Sequence, residues 1–151
     1  MSPKTAIVTG GGRGIGRAIV ERLLSDGFDV VSCGRGSRPA EWPDAAHWVR
    51  ADVSRPDDCR ELLNVATALS GPLAVLVNNA GVQIEKNLAE STDDDWDLVV
   101  GVNCRGVFNC CRAFLPAMGS GAAIINIGSI SGQAADPSMA LYNASKAFVH
   151  G

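Results

Sequence analysis

Short apolar runs alternate along the chain with stretches in which apolar residues recur at helical spacing. Five runs predict β-strands, at residues 4–9, 30–33, 47–50, 73–77 and 122–127. Helical spacing occupies residues 15–24, continues between 54 and 71, runs from 92 towards 118 and resumes near 141. Strands that alternate with helices predict a parallel sheet with helices on both faces, which is the α/β doubly wound architecture.

Polar residues mark where two of these helices begin. Ser54 is predicted to cap the second helix, because a serine side chain can accept a bond from the first-turn amides. Thr92, followed by three aspartates, predicts the start of the third helix, since acids are favoured at a helix amino terminus. This third helix is expected either to continue towards residue 118 or to break near Gly101 or Gly106.

Composition is typical of an ordinary globular protein. At 151 residues the chain is long enough for one domain, and it is 46% hydrophobic and 19% charged. Its net charge is -3, and no basic cluster predicts nucleic-acid binding. No uninterrupted apolar run approaches the ~18 residues of a membrane span, and the amino terminus enters a strand without a signal-peptide pattern. We therefore expect a cytoplasmic protein that binds neither nucleic acid nor membrane.

The cysteines support the same compartment. Five are present, at positions 33, 59, 104, 110 and 111. The odd number and the lack of a Cys-x-x-Cys pair predict reduced, mostly buried thiols rather than disulfides or zinc ligands. With two histidines in the whole chain, no metal site is predicted.

Glycines cluster between the first predicted strand and the first predicted helix. Gly10, Gly14 and Gly16 follow a Gly-x-x-x-Gly-x-Gly spacing, which differs from the Gly-x-Gly-x-x-Gly dinucleotide fingerprint. Glycine lets the backbone approach a ligand closely, and a helix amino terminus attracts anions. The alternative is an ordinary turn, but the strand–turn–helix context favours dinucleotide binding.

The end of the second strand bears on which dinucleotide is bound. An acid there would bond the ribose 2′-hydroxyl of NAD, but this chain has Gly34 followed by Arg35. Arg38 lies nearby in sequence, and Arg13 is in the glycine loop. Guanidinium groups suit a 2′-phosphate, so NADP(H) is predicted over NAD(H), unless these arginines are simply solvated loop residues.

Three residues near the carboxyl end can form a proton-transfer site. Tyr142 and Lys146 are four residues apart and share one face of the predicted last helix. A phenol in water has a pKa of about 10, so it needs a neighbouring cation to ionise at neutral pH. Ser129 could bond the same substrate oxygen. Each residue alone has an ordinary structural explanation, but together they indicate general acid–base chemistry.

Five motifs in this order resemble the short-chain dehydrogenase/reductase family. They are Thr9 to Gly16, Asn78-Asn79-Ala80-Gly81, Asn103 within Val102 to Phe108, Ser129, and Tyr142-Asn143-Ala144-Ser145-Lys146. The resemblance covers the whole chain. It implies a Rossmann-type sheet and an NAD(P)H-dependent oxidoreductase that interconverts a secondary alcohol and a ketone.

The resemblance also implies a role for each catalytic candidate. Tyr142 would be the general acid in reduction and the general base in oxidation. Lys146 would favour the ionised phenol and hold the nicotinamide ribose. Ser129 would orient the substrate carbonyl, and Asn103 would support a water-linked proton relay to the lysine.

The same resemblance implies a set of cofactor contacts. Asp52 and Val53 would lie beside the adenine, Asn78 and Gly81 would form a wall, and Thr9 would brace the turn near Asn78. The full set is Thr9, Gly10, Arg13, Gly14, Ile15, Gly16, Arg35, Asp52, Val53, Asn78, Ala80, Gly81, Tyr142 and Lys146.

Residues 1–151 are expected to form a single dinucleotide-binding domain that is truncated within the Tyr/Lys helix. Family members typically continue further, so the sheet is expected to be incomplete at its carboxyl-terminal side. The chain is then either a fragment of a longer enzyme or a truncated, inactive binding protein or cofactor sensor. The first is favoured, because the last helix lacks a stop signal.

A third alternative is an interaction module. Its oligomer face would consist of apolar residues on the third helix, namely Leu98, Val102, Val107, Phe108 and Phe114. Such residues at helical spacing are more often core. The family resemblance itself implies a homodimer or homotetramer acting on a small carbonyl or alcohol.

Overall fold

A computed structural model describes residues 3–151 and contains one parallel sheet flanked by helices. Its five strands are all parallel and lie in the order β3-β2-β1-β4-β5. They span β1 (Thr5–Thr9), β2 (Asp29–Gly34), β3 (Ala46–Arg50), β4 (Leu73–Asn78) and β5 (Ala123–Asn126). Every predicted strand is confirmed, and no strand end differs from its predicted position by more than one residue.

The helices also follow the predicted pattern. They are α1 (Gly14–Ser25), α2 (Pro56–Thr67), α3 (Asp93–Val100), α4 (Gly106–Phe114) and α5 (Ala140–His150). Between α3 and α4, residues Gly101–Arg105 form a π-helical turn. The predicted irregularity near Gly101 and Gly106 is therefore a widened turn inside one continuous helical segment, not a break.

Alternate residues of the strands supply two cores, because successive side chains point to opposite faces of a sheet. On one face, Ile7 packs with Leu62 of α2 and Phe114 of α4. On the other face, Val8 packs with Val20 of α1. Burial on both faces confirms the doubly wound architecture predicted from the sequence.

One predicted helix cap is confirmed and the other is wrong. The Thr92 side chain accepts a bond from the Asp95 amide while the Asp95 carboxylate accepts one from the Thr92 amide, which is a capping box. Helix α2 instead follows Arg55, which makes no side-chain cap bond. Ser54 does not cap it because both its amide and its hydroxyl donate to Asp52 Oδ1, at 2.9 and 2.7 Å.

The helical segment Asp93–Ala117 has 25 residues and is apolar enough to cross a membrane by length and composition alone. Charged and polar residues interrupt it, so it contains no continuous apolar run in the sequence. In the structure its buried residues, including Val99 and Phe114, face the protein, and core helices of globular proteins commonly meet the same criterion.

The order of the strands fixes where a ligand can bind. The chain leaves β1 towards β2 on one side and later returns to β4 on the other side of β1. The carboxyl ends of β1 and β4 are therefore the point where the connections diverge. In open parallel sheets, ligands bind in the crevice at this switch point. At the far side of the sheet, β5 pairs only with β4 among the residues 3–151 that the structure describes.

Candidate active site

A cleft of about 430 Å³ opens at the switch point. The glycine loop forms one wall, and the predicted residues that line it are Gly10, Arg13, Gly14, Ile15 and Gly16. Five other predicted residues also line the cleft, namely Arg35, Asp52, Val53, Ala80 and Gly81, whereas Thr9, Asn78, Tyr142 and Lys146 are not part of this lining. The structure thus brings together at one cleft residues that come from four separate parts of the chain.

Glycine is required at three positions of the loop for different physical reasons. Gly10 has φ of +69°, and an added Cβ there would lie 2.8 Å from the Ala80 Cα. A Cβ on Gly16 would overlap the Asn79 amide. Gly14 has φ of +54° but meets nothing within 4 Å, so it borders open space. The loop is packed against the β4 end on one side and open to the cleft on the other.

The amino terminus of α1 is available to an anion. Arg13 is its N-cap residue and makes no side-chain cap bond, and the first turn has no acidic residue. Amides of that turn have no partner within the helix, and the helix dipole makes this end positive. Since Gly14, Ile15 and Gly16 line the cleft, these amides border it. The donor set fits the pyrophosphate of a dinucleotide.

Two predicted residues, Thr9 and Asn78, do not line the cleft. The Thr9 hydroxyl accepts bonds from the amides of Asn79 and Ala80, at 3.1 and 3.0 Å. The Asn78 side chain points away and donates to Asn126 Oδ1 at 2.8 Å. Asn79, which the sequence analysis did not single out, lines the cleft and donates to the carbonyls of Thr9 and Gly10. Asn79 therefore lines the cleft where Asn78 was expected, and a contact between Asn78 and a cofactor stays a prediction.

Arginines line the end of the cleft near Asp52, but not all those that were expected there. A second cavity of about 270 Å³ adjoins the first and shares Arg35 and Asp52 with it. Arg50 and Arg55 also line this cavity. Arg38 lines neither cavity and instead pairs with Asp44 at 2.6 Å.

Tyr142 and Lys146 lie together on α5, as their spacing predicts. The Lys146 ammonium is 5.7 Å from the centre of the Tyr142 ring. Only 6% of Lys146 is exposed, and its Nζ donates to the Ile127 carbonyl at 2.7 Å. Burial lowers the pKa of Lys146 from its ordinary value, while the neighbouring Cys104 sulfur acts in the opposite direction.

Asn103 connects this helix to the cleft. It lies in the π-helical turn, and such turns occur frequently at functional sites. Its side chain accepts from the Val82 amide at 2.8 Å and donates to the Val82 carbonyl at 2.9 Å. It also donates to the Ser145 hydroxyl at 2.9 Å. A Cβ built on Gly81 would lie 3.4 Å from Asn103 Oδ1 and 3.8 Å from Lys146 Nζ, so the lysine borders the rim of the cleft.

Ser129 begins a short 3₁₀ turn, Ile130–Gly132, that packs against α5. Its hydroxyl accepts from the Ser131 amide at 3.2 Å, and its own amide donates to His150 Nε2 at 3.3 Å. Within residues 3–151, no hydrogen bond joins Ser129 to Tyr142. The sequence analysis missed His150, because nothing in its spacing from Ser129 indicates a contact.

No disulfide joins the cysteines, and one of them, Cys33, lines the cleft. All five cysteines are free, with Cys33, Cys59 and Cys110 buried and Cys104 and Cys111 half-buried. Burial raises the pKa of Cys33 to about 12, so this thiol remains protonated at neutral pH. Among the residues that the structure describes, no group of three or more potential ligands could hold a metal ion.

Comparisons with known proteins agree with this geometry. The sequence profile of the short chain dehydrogenase family matches residues 4–151. An NADP-dependent (R)-specific alcohol dehydrogenase of Lentilactobacillus kefiri is 37% identical over 97% of this chain, and the match spans 62% of that enzyme.

Two solved structures are also similar. A short chain dehydrogenase/reductase from Burkholderia phymatum in complex with NAD has a TM-score of 0.90 and 36% identity, covering 99% of this chain and 57% of that one. A 3-ketoacyl-(acyl-carrier-protein) reductase from Brucella melitensis complexed with NADH has a TM-score of 0.91 and 32% identity, covering 98% and 66%. The chain thus spans about three-fifths of the length of these relatives. The matched profile, the parallel sheet and the glycine-lined cleft together show that this chain belongs to the short-chain dehydrogenase family.

Proposed function

We propose that this protein is an NADP(H)-dependent oxidoreductase that interconverts a secondary alcohol and a ketone, with Tyr142 as its general acid and base. The observation that carries the proposal is the buried Lys146 ammonium beside the Tyr142 ring, at the rim of the cleft next to Gly81. Lysine is almost never fully buried unless it is paired, so a buried ammonium at the edge of a cleft is unusual. Perturbed ionisable groups in clefts mark candidate functional sites.

In the proposed reaction, Tyr142 moves the proton. During reduction its hydroxyl donates to the carbonyl oxygen as negative charge develops there, and during oxidation the phenolate removes the alcohol proton. The Lys146 ammonium stabilises that phenolate through charge–charge attraction, which burial strengthens. The Ser129 hydroxyl orients the carbonyl. A nicotinamide dinucleotide bound in the cleft would supply or accept the hydride at the carbonyl carbon.

The preference for NADP(H) is supported by charge at the adenosine end of the cleft. Arg35 lines both cavities there, Arg13 lines the main cleft, and the strand end at Gly34 carries no acid. Planar guanidinium groups bind phosphate through paired hydrogen bonds. The relative from L. kefiri is NADP-dependent by name, whereas the two solved relatives hold NAD or NADH.

A homodimer or homotetramer forms part of the proposal. Three large aromatic side chains on neighbouring helices are about half exposed, namely Trp96 of α3, Phe108 of α4 and Phe148 of α5. Exposed apolar patches commonly mark protein–protein contacts. We further propose that the protein acts in the cytoplasm, where its five free thiols would stay reduced.

The test combines turnover with cofactor binding in purified protein. NADPH consumption is followed with a panel of small ketones for the unaltered protein and for Tyr142→Phe. The variant should lose at least about 100-fold in kcat, the usual contribution of a general acid, while its Kd for NADPH stays within about twofold. A matched control combines Tyr142→Phe with Phe148→Tyr, which moves the phenol along the same helix and should not restore turnover. Full activity of Tyr142→Phe would refute the assignment.

A further inference from the structure

The indole ring of Trp48 occupies the space beside the end of β2. Trp48 pairs with Ser32 across β2 and β3, and Gly34 is two residues further along the same face. A Cβ built on Gly34 would lie 2.8 Å from Cη2 and 3.0 Å from Cζ2 of this ring. A Cβ on Gly12 of the glycine loop would lie 3.1 Å from Cη2. The ring therefore fills the space between the strand end and the loop.

This ring has neighbours that oppose its movement. It packs edge-to-face on Trp42, with the ring centres 4.8 Å apart. Its Nε1 donates to the Gly36 carbonyl at 3.4 Å. Trp42 is itself buried, and its Nε1 donates to the Ala46 carbonyl at 2.8 Å. Any side chain at Gly34 would have to displace this half-buried ring from its contacts with Trp42 and Gly36, and such overpacking is unfavourable.

Position 34 is the place where a dinucleotide-binding protein carries the acid that bonds the ribose 2′-hydroxyl. Here the first carbon of such an acid would already collide with the ring of Trp48. The second cavity lies at this end, and its charged lining residues are Arg35, Arg50 and Arg55 together with Asp52 and Asp58. The aromatic ring thus excludes the acid that favours NAD beside a cavity in which arginines outnumber carboxylates.

We propose that Trp48 is a specificity-determining residue, which excludes an acidic side chain from position 34 and so keeps the adenosine end of the cleft selective for a 2′-phosphate. This inference rests on the proposed dinucleotide function. Trp48 is not proposed to bind the phosphate. It acts by occupying the space that an acidic side chain at position 34 would need. Changing Gly34 alone therefore cannot convert the cofactor preference.

The first measurement tests the steric claim without any ligand. Melting temperatures are compared for the unaltered protein, Gly34→Ala, Trp48→Val and the double variant. Gly34→Ala should lower the melting temperature by about 2–10 °C in the presence of Trp48. In the Trp48→Val background, the same change should cost less than half as much, since contacting residues are energetically coupled. Equal costs in both backgrounds would overturn the inference.

The second measurement tests the cofactor consequence by calorimetric titration with NADPH and NADH. Gly34→Asp combined with Trp48→Val should shift the affinity ratio towards NADH by about tenfold or more relative to Trp48→Val, the size expected of a charged hydrogen bond. Gly34→Asp alone should destabilise the protein. The matched control is Gly36→Asp, which adds the same charge where a Cβ meets nothing within 4 Å.

The outcomes separate the two proposals. A stable Gly34→Asp variant that by itself prefers NADH would overturn the role of Trp48 and leave the oxidoreductase function intact. An unchanged affinity ratio in the double variant that combines Gly34→Asp with Trp48→Val would do the same. Failure of the unaltered protein to bind either dinucleotide would contradict the proposed function itself, and the specificity role with it.

Discussion

Removing the Asn103 side chain should destabilise this protein more than expected for a side chain of this size. Asn103 is 1% exposed and makes three hydrogen bonds, two to the Val82 backbone and one to Ser145. Each buried hydrogen bond contributes about 1 kcal/mol net, so Asn103→Ala should lose about 3 kcal/mol. The Val82 amide and carbonyl would also be left without these partners, which adds to the loss.

A second buried asparagine provides the control. Asn109 is 2% exposed on α4, but it makes one bond to the Val53 carbonyl at 3.0 Å and accepts a longer one from Arg112 at 3.3 Å. Asn109→Ala removes the same atoms and should cost about 1–2 kcal/mol by the same reasoning. The difference between the two variants isolates the contribution of the connections that Asn103 makes.

Urea unfolding of both variants, monitored by far-ultraviolet circular dichroism, measures the two free energies. Asn103→Ala should also weaken NADPH binding more than Asn109→Ala does, because Val82 at the cleft loses two backbone partners, whereas Val53, which also lines the cleft, loses one. Equal destabilisation by the two substitutions would refute the view that Asn103 clamps three segments together. Loss of stability with unchanged NADPH affinity would limit its role to the fold.

Two further predictions concern the helices beside the site. Thr92→Ala removes the capping box with Asp95 and should lower the free energy of unfolding by about 1 kcal/mol in a urea titration. The control is Thr67→Ala at the end of α2, which should lower the free energy of unfolding by less than about half of this amount. Burial lowers the pKa of Lys146, so the unfolded chain holds that proton to higher pH than the folded one. The contribution of Lys146 to stability should therefore rise as the pH passes the folded pKa of this lysine towards its unfolded value of about 10.4. The raised pKa of the buried Cys33 thiol acts in the opposite direction in every variant, so the measurement is the difference between variants. In urea titrations from about pH 7 to 10, the unaltered protein and Lys86→Met should gain stability relative to Lys146→Met as the pH rises, and a constant difference would contradict the prediction.

The sheet could be predicted because its strands are short apolar runs separated by turn residues. A parallel sheet buried on both faces needs such runs, so periodicity alone locates each strand closely. The glycine loop could also be predicted from the sequence, because tight turns and close backbone approaches leave few alternatives to glycine at Gly10 and Gly16.

The identity of the residue at the cleft wall could not be predicted in the same way. Asn78 and Asn79 are identical side chains at the end of β4, and the sequence does not indicate which one faces the loop. In the structure Asn78 ends the strand and pairs across to Asn126, while Asn79 turns towards the carbonyls of Thr9 and Gly10. That choice depends on the register between β4 and β5, which is a non-local property.

The contact between Trp48 and Gly34 also could not be predicted from the sequence pattern. A missing acid at Gly34 is visible in the sequence, but its cause is not, because the obstructing ring belongs to a different strand. Similarly, serine is a residue type that commonly caps helices, yet the amide and hydroxyl of Ser54 donate hydrogen bonds to Asp52. Local sequence propensity therefore indicates which residues could have these roles, and tertiary contacts determine which of them do.

The Asn103 side chain connects the cleft to helix α5 through hydrogen bonds. Val82 lines the cleft directly after Gly81, Asn103 holds both backbone groups of Val82, and the same amide group holds Ser145, which precedes Lys146. We expect a ligand that orders the cleft rim to affect the position of Lys146 through these hydrogen bonds of Asn103. The widened helical turn at Gly101–Arg105 belongs to this arrangement, because it is the segment that carries Asn103. An irregular turn inside a long helix is costly without a compensating gain, and here that gain is an amide that fixes the proposed catalytic lysine relative to the cleft.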